Sequence, residues 1–401
     1  MRLGVIKSVP GNFQESSMRI ALPFCMLIIL QGCALFGGDD EDVLLPTELV
    51  EFEAVIEVDK KWDVSIGKGH EGLGLALKPA TDGEQVYAAS FNGNVVALET
   101  NRGKKVWKTN FDLSFTSGPT FKDGILVLGT NNGELIALDA LTGGVLWATT
   151  VSSEILAPVA IKDDKIFVRT VDGSLTALSK EDGTQQWLVK HKVPRLSLRG
   201  TSAPVNFANA VLCGFDDGKV SAYDVTNGTL LWETMLTPPS GKTEIEKVMD
   251  IDAPIVVLGN ELYVGSYQGA LGAMALESGD IIWVTEASIY AGIAADENAV
   301  FVSETDGTIM ALSRFTGREI WKKENLLYRS PTAPVIMDDS IVIGDLEGYL
   351  HWLDKATGET QERISISKSK ISNAPLVLNN SIYVLTDSGN LISVEKKIPS
   401  S

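Results

Sequence analysis

The chain has 401 residues and a formal net charge of −18, which leaves room for one large domain or two ordinary ones and argues against nucleic acid as a partner, because no basic stripe offsets phosphate repulsion. Hydrophobic residues make up 44% and charged residues 21% of it, a balance that supports a sizeable core, with the acidity read as solubility rather than function. Of the three cysteines, Cys25 and Cys33 lie in an N-terminal apolar segment and Cys213 in the strand-like run VLCGF, so no disulfide framework arises within one chain and Cys213 reads as a small buried hydrophobe.

From Met18 the chain reads MRIALPFCMLIILQGC. One arginine precedes an apolar run too short to span a bilayer well, as in the core of a signal peptide. The tail LQGC resembles a lipobox, in which the cysteine is acylated and the chain is cleaved before it. Leu30, Gly32 and Cys33 match, and Gln31 departs from the usual small or branched residue. A plain signal peptide with an incidental cysteine is the alternative. Residues 1 to 32 are thus expected to be a signal peptide, with Met18 a second candidate start, and Cys33 the site of lipid attachment, palmitate included. Residues 33 to 50, which contain GGDDEDVLLPTE, are expected to be a flexible tether. Ala34 follows the cysteine where an aspartate would resemble an inner-membrane signal, which points to the outer membrane of a Gram-negative cell, facing the periplasm. Several buried acyl chains, at roughly 0.8 kcal/mol per methylene, would make that anchor firm.

Residues 51 to 397 carry a repeat. In TNNGELIALDALTGGVLWATT, Thr130 to Thr150, an apolar run (ILVLG) leads to a Gly turn, the alternating ELIALD, a Thr-Gly turn and VLW. That is strand, turn, strand, turn, strand, with period two inside each run. Gly133 supplies the left-handed backbone of the first turn and Asp139 accepts backbone N–H groups at the second. The turn glycines are Gly93, Gly133, Gly173, Gly218, Gly269, Gly307, Gly348 and Gly389, and the first six are each followed fourteen positions on by a tryptophan: Trp107, Trp147, Trp187, Trp232, Trp283 and Trp321. The seventh unit has Glu362 there and the eighth runs out of chain. Short extended segments precede the units, often with Ala-Pro: LAPV, SAPV, DAPI, TAPV, NAPL.

Four short strands repeated eight times predict an all-β fold, an eight-bladed β-propeller of four-stranded antiparallel blades. A solenoid would leave open ends. The last unit lacks an outer strand while AVIEVDKKWDVSI stands spare before the first, so the ring is expected to close by pairing the N- and C-terminal strands, with Trp62 in the place missing after Gly389. The recurrent tryptophans are expected to pack between neighbouring blades. Trp352 falls outside the repeat pattern.

Successive turn glycines are 40, 40, 45, 51, 38, 41 and 41 residues apart by subtraction. The two excesses lie in consecutive repeats and must fall in connections, which carry function on a rigid scaffold. The first holds VPRLSLRG and the second LTPPSGKTEIEKVMDID, Leu236 to Asp252. They should emerge side by side, one offering Leu196, Leu198 and Arg199, the other Asp250 and Asp252. Two readings stay open. Arg199 pairs with the aspartates and the leucines tuck beneath the loop, or leucines and arginine form a protein-binding spot rimmed by acid.

Catalytic patterns are sparse. His70, His191 and His351 lie in different repeats without metal-ligand spacing, and no Gly-x-Ser-x-Gly elbow appears. Asp172, Asp217 and Asp306 sit at turns, where they cap backbone. Lys242 in PPSGKTE lacks the upstream glycine and following helix of a phosphate loop. The repeat resembles the blades of quinoprotein dehydrogenases, which use pyrroloquinoline quinone and calcium beneath an adjacent cysteine pair. This chain has no Cys-Cys pair, so no cofactor, metal or catalytic residue is expected.

Taken together, the lipobox, the eight repeats, LSLRGTSAP, TEIEKVMDIDAP and GDLEGYLHWLD are similar to the BamB family, lipoproteins of the outer-membrane β-barrel assembly machinery, from about Cys33 to the C-terminus. The resemblance implies a non-enzymatic scaffold that binds the periplasmic POTRA region of BamA, through it the other lipoproteins of that machinery, and assists delivery and insertion of β-barrel proteins. It implies that Leu196, Leu198, Arg199, Asp250 and Asp252 form the BamA contact, and that blade edges could add strands to unfolded client chains. A quinone-dependent dehydrogenase and a periplasmic scaffold of another complex are the competing readings.

Overall fold

A computed structural model describes residues 44–69, 72–194, 196, 200–238 and 249–397. Cys33, His70, Leu198, Arg199 and Lys242 lie outside the described residues. Contacts divide the chain at Leu45 and Pro46. Of the first unit only Leu44 and Leu45 are described, both exposed and without regular structure. All that follows concerns Pro46–Ser401.

Thirty-two strands form eight four-stranded antiparallel sheets, and no helix occurs among the described residues. Blade 2 shows the plan: Phe115–Lys122, Ile125–Thr130, Glu134–Asp139 and Val145–Thr150 pair in sequence order from the innermost strand to the outer one. The two middle strands are buried on both faces, as their continuous apolar runs require, whereas the outer strand alternates exposed and covered positions. Gly133 adopts φ +77°, and Asp139 Oδ1 accepts from the Thr142 amide at 2.8 Å. In the fifth unit the turn departs from the expected pattern. Gln268, not Gly269, takes the positive φ, at +49°.

Closure follows the sequence expectation. Val58–Ser65 is the outer strand of blade 8, antiparallel to Asn390–Lys396, with Trp62 opposite Ser393. Ahead of it the chain is already packed, earlier than the expected tether boundary. The Thr47 amide donates to Leu327 O and the Val55 amide to Gln361 O, each at 3.0 Å, and Arg363 reaches Val50 O at 3.1 Å. Residues 47 to 57 therefore run along blade 7 before entering blade 8.

The tryptophans join blades. Trp147 lies on the left-handed Gly183 of the next blade, so close that a β-carbon there would fall 2.6 Å from its ring, and its indole N–H donates to Lys180 O at 2.9 Å. The indoles of Trp62, Trp107, Trp187, Trp283 and Trp321 make the same bond to the following blade. Opposite each of these side chains on the third strand of its own blade stands a small residue: Ala97, Ala137, Ala177, Ala222, Ala273 and Ala311 across blades 1 to 6, and Ser393 in blade 8. In blade 7 the sizes are exchanged. Trp352 occupies the third strand opposite Glu362 and is fully buried among Ile366, Ile382, Val394 and their neighbours, which accounts for the tryptophan outside the repeat.

Candidate functional site: two enlarged loops over blades 4 and 5

The loop from outer to inner strand leaves each blade beside the Gly turn: the amides of Val151, His191 and Leu236 donate to Gly133, Gly173 and Gly218. All such connections therefore lie on one face of the ring. The two enlarged ones span 191–204, between Gln185–Lys190 and Val205–Phe207, and 236–255, between Leu230–Met235 and Val256–Leu258.

They meet. A β-carbon on Gly200 would fall 2.4 Å from Asp252 Oδ2, so the two loops are in direct contact here. Ser202 Oγ donates to Ala253 O at 3.1 Å. Leu196 is exposed. Asp252 is half-buried, and neither carboxylate oxygen has a hydrogen-bond partner among the described residues. Burial first, then the charges of Asp250 and Asp216, push its carboxyl up to about 7, against the pull of Arg169. Asp250 does not present itself at the surface as the sequence reading expected. It is 1% exposed, because Met249, Asp250 and Ile251 are drawn down between blades 4 and 5, where the Tyr267 amide donates to Asp250 O at 3.0 Å. Ile251 fills the space over Gly214, where a β-carbon would clash with it. Its amide donates to Phe215 O.

Beneath the loops lies a charged floor that the sequence reading missed. Arg169 ends the second strand of blade 3, Lys165–Arg169, and is buried. Its guanidinium donates to Gly214 O at 3.0 Å and Asp216 Oδ1 at 2.8 Å, and lies 4.4 Å over the Phe215 ring. His191 stacks on the same ring at 3.9 Å, with Nε2 3.0 Å from Asp217 Oδ2. The turn Phe215-Asp216-Asp217 is thus clamped between the blades and gives both loops a fixed base. A sequence signal existed: Gly129, Gly214, Gly265 and Gly344 stand where IFVRT has Arg169.

Chemistry at other reactive groups is suppressed. Burial pushes the Cys213 thiol up to about 12, away from thiolate reactivity. His351 is buried with Nε2 3.1 Å from Asp345 Oδ2, and the same carboxylate takes the Arg329 Nε at 2.9 Å. Arg329 also holds Thr47 O at 2.9 Å, so this network pins the N-terminal segment to blade 7. Among the described residues no group of three His, Cys, Asp or Glu could hold a metal ion.

The family model described as outer membrane protein assembly factor BamB matches residues 91–323. A protein of that name from Kangiella koreensis is 41% identical over 96% of this chain and 98% of its own length, and one from Escherichia coli K12 is 30% identical over 94% and 99%. The crystal structure of BamB from Moraxella catarrhalis superposes with a TM-score of 0.77 at 30% identity, covering 84% of this chain and all of that one. A quinohemoprotein alcohol dehydrogenase from Comamonas testosteroni shares the fold alone, with a TM-score of 0.69 at 12% identity.

Proposed function

Because the chain belongs to the BamB family of outer membrane protein assembly factors, we propose that it is a non-enzymatic scaffold of the β-barrel assembly machinery, held at the outer membrane by lipid on Cys33 and facing the periplasm, and that its two enlarged loops grip the POTRA region of BamA. The contact of Gly200 with Asp252 carries the reading, since it makes one surface of two loops the repeat did not require. Leu196, Leu198 and Arg199 supply the apolar and cationic anchors. Asp252 meets the partner at the rim, and Asp250, being buried, positions the loop from below. The absence of a Cys-Cys pair and the burial of Cys213 support a binding role over quinone chemistry.

A second surface serves unfolded clients. The outer strands of blades 2, 4 and 5 each have an edge that is unpaired among the described residues, and they expose the apolar pairs Val145 and Leu146, Leu230 and Leu231, and Ile281 and Ile282. An extended apolar chain could add to such an edge through main-chain hydrogen bonds.

Co-purification tests the first surface. Arg199→Ala and Leu196→Asp should each reduce recovery of BamA from solubilised membranes at least tenfold while the thermal midpoint stays within about 2 °C of the parent. Undiminished recovery, or unfolding of both variants, would remove these side chains from the interface.

A further inference from the structure

In blades 2, 4, 5 and 7 one device ties the chain back to the blade it has just left. Gly129, Gly214, Gly265 and Gly344 lie at the ends of the second strands, and a β-carbon on each would strike an isoleucine on the way to the next blade: Ile155, Ile251, Ile289 and Ile371 in turn. Each isoleucine amide donates to the carbonyl that follows the glycine, at 3.0 to 3.3 Å. The absent side chain is thus a seat, and the isoleucine is the pin that fills it.

Blade 3 departs from this. Arg169 stands in the glycine's place, 1% exposed, so its side chain takes the space that the isoleucine has elsewhere. Ile155 and Ile251 stand three positions before a proline, where the 191–204 loop has Thr201. Among the described residues no backbone amide of that loop donates to Thr170 O, the carbonyl after Arg169. The loop leans on its neighbour instead, with Gly200 against Asp252 and Ser202 Oγ on Ala253 O. Arg169 meanwhile bonds Gly214 O and Asp216 Oδ1 and covers the Phe215 ring, and Phe215 O takes the Ile251 amide of the 236–255 loop. A buried ion pair is no better for stability than a well-packed apolar contact, and four blades show that the apolar pin suffices. The arginine therefore gains its value from where it leaves the loops.

We propose that Arg169 is a positioning residue of the loop surface: it denies the 191–204 loop a seat on blade 3, so that this loop is carried over to the 236–255 loop and the two present one face to a protein partner. The proposal rests on the reading of these loops as the BamA grip. Being buried, Arg169 acts through the loops and not by touching the partner.

The test restores the repeat's own pair. Arg169→Gly with Thr201→Ile rebuilds seat and pin, and Asp216→Asn, the residue type of Asn131 at the same turn of blade 2, removes the charge that Arg169 neutralised. In the full-length mature protein this triple variant should keep its thermal midpoint within about 3 °C of the parent, while BamA recovered from solubilised membranes falls at least about tenfold. Amide hydrogen exchange reads the loop directly. In the parent the Thr201 amide should exchange at least about tenfold faster than those of Ile155 and Ile251, and in the triple variant the amide at position 201 should slow to their range. Recovery of BamA equal to the parent's, with position 201 slowed, overturns the proposal, because a seated loop then binds as well as a displaced one. A Thr201 amide as slow as that of Ile155 in the parent overturns it equally, and this comparison needs no variant, so it decides the matter if the triple variant misfolds. Should the parent itself recover no BamA, the grip fails as a reading, and the exchange comparison still decides whether Arg169 sets the loop.

Discussion

In blades 1 to 6 an alanine of the third strand faces a tryptophan of the outer strand, whereas in blade 7 the third strand supplies Trp352 and the outer strand Glu362. The difference follows from what each blade meets next. An outer tryptophan needs the left-handed glycine and free carbonyl of the following blade's last turn, as Trp147 finds at Gly183 and Lys180. Blade 8 has no such turn, because its outer strand comes from the other end of the chain. Its neighbour therefore moves the indole inward, into the interface with the second and third strands of blade 8, and leaves the rim to Arg363, which lies 5.2 Å from the Phe52 ring of the incoming segment. The indole changes strand while the interface between the blades stays filled, as close packing demands.

The most damaging way to break this contrast is to remove residues 46–65. Blade 8 then loses its outer strand and blade 7 its covering segment, and cooperative thermal unfolding should disappear, as seen by calorimetry. Retention of one sharp transition would show that the seam does not hold the ring. Trp352→Ala comes next. A fully buried indole is lost from the interface of blades 7 and 8, at a cost of about 3–5 kcal/mol by chemical denaturation. Trp147→Ala should cost less, about 2–3 kcal/mol, since that ring lies at the rim and its single hydrogen bond is worth about 1 kcal/mol net. Adding Glu362→Trp to Trp352→Ala sharpens the point. With no glycine turn to receive the new indole, it should restore under 1 kcal/mol, and a fuller rescue would make the two arrangements interchangeable.

A further effect concerns the face of the enlarged loops, where a carboxylate has no hydrogen-bond partner among the described residues. Asp252 titrates near 7 in the folded chain, above the ordinary carboxylate value, so its stabilising protonated form is complete at low pH and lost as pH rises through about 7. Asp252→Asn should therefore gain stability over the parent between pH 5 and pH 8, by about 2 kcal/mol, with little difference at pH 4. A gain that is flat across this range would mean that the carboxyl does not titrate there.

The ring and its closure were legible because the signal is repetitive. Gly turns, the tryptophan fourteen places on and a spare strand at one end all report local geometry. The meeting of the two loops was legible too, since consecutive blades must place them together. Depth was not. Asp250 alternates with apolar residues like a surface position, yet the loop folds inward and buries it with both neighbours. Leu198 and Arg199 lie outside the described residues, so their share in the proposed grip rests on the matched motif and on Leu196 beside them.

The seam has a consequence for biosynthesis. Val58–Ser65 is among the first folded segments to be made, and Asn390–Lys396, which must receive it, is the last. Seven blades can stack as they emerge, but the circle stays open until the final ribbon arrives, and in that interval the early strand has an unpaired edge of its own. A chain stalled before Asn390 would be left with that edge permanently exposed.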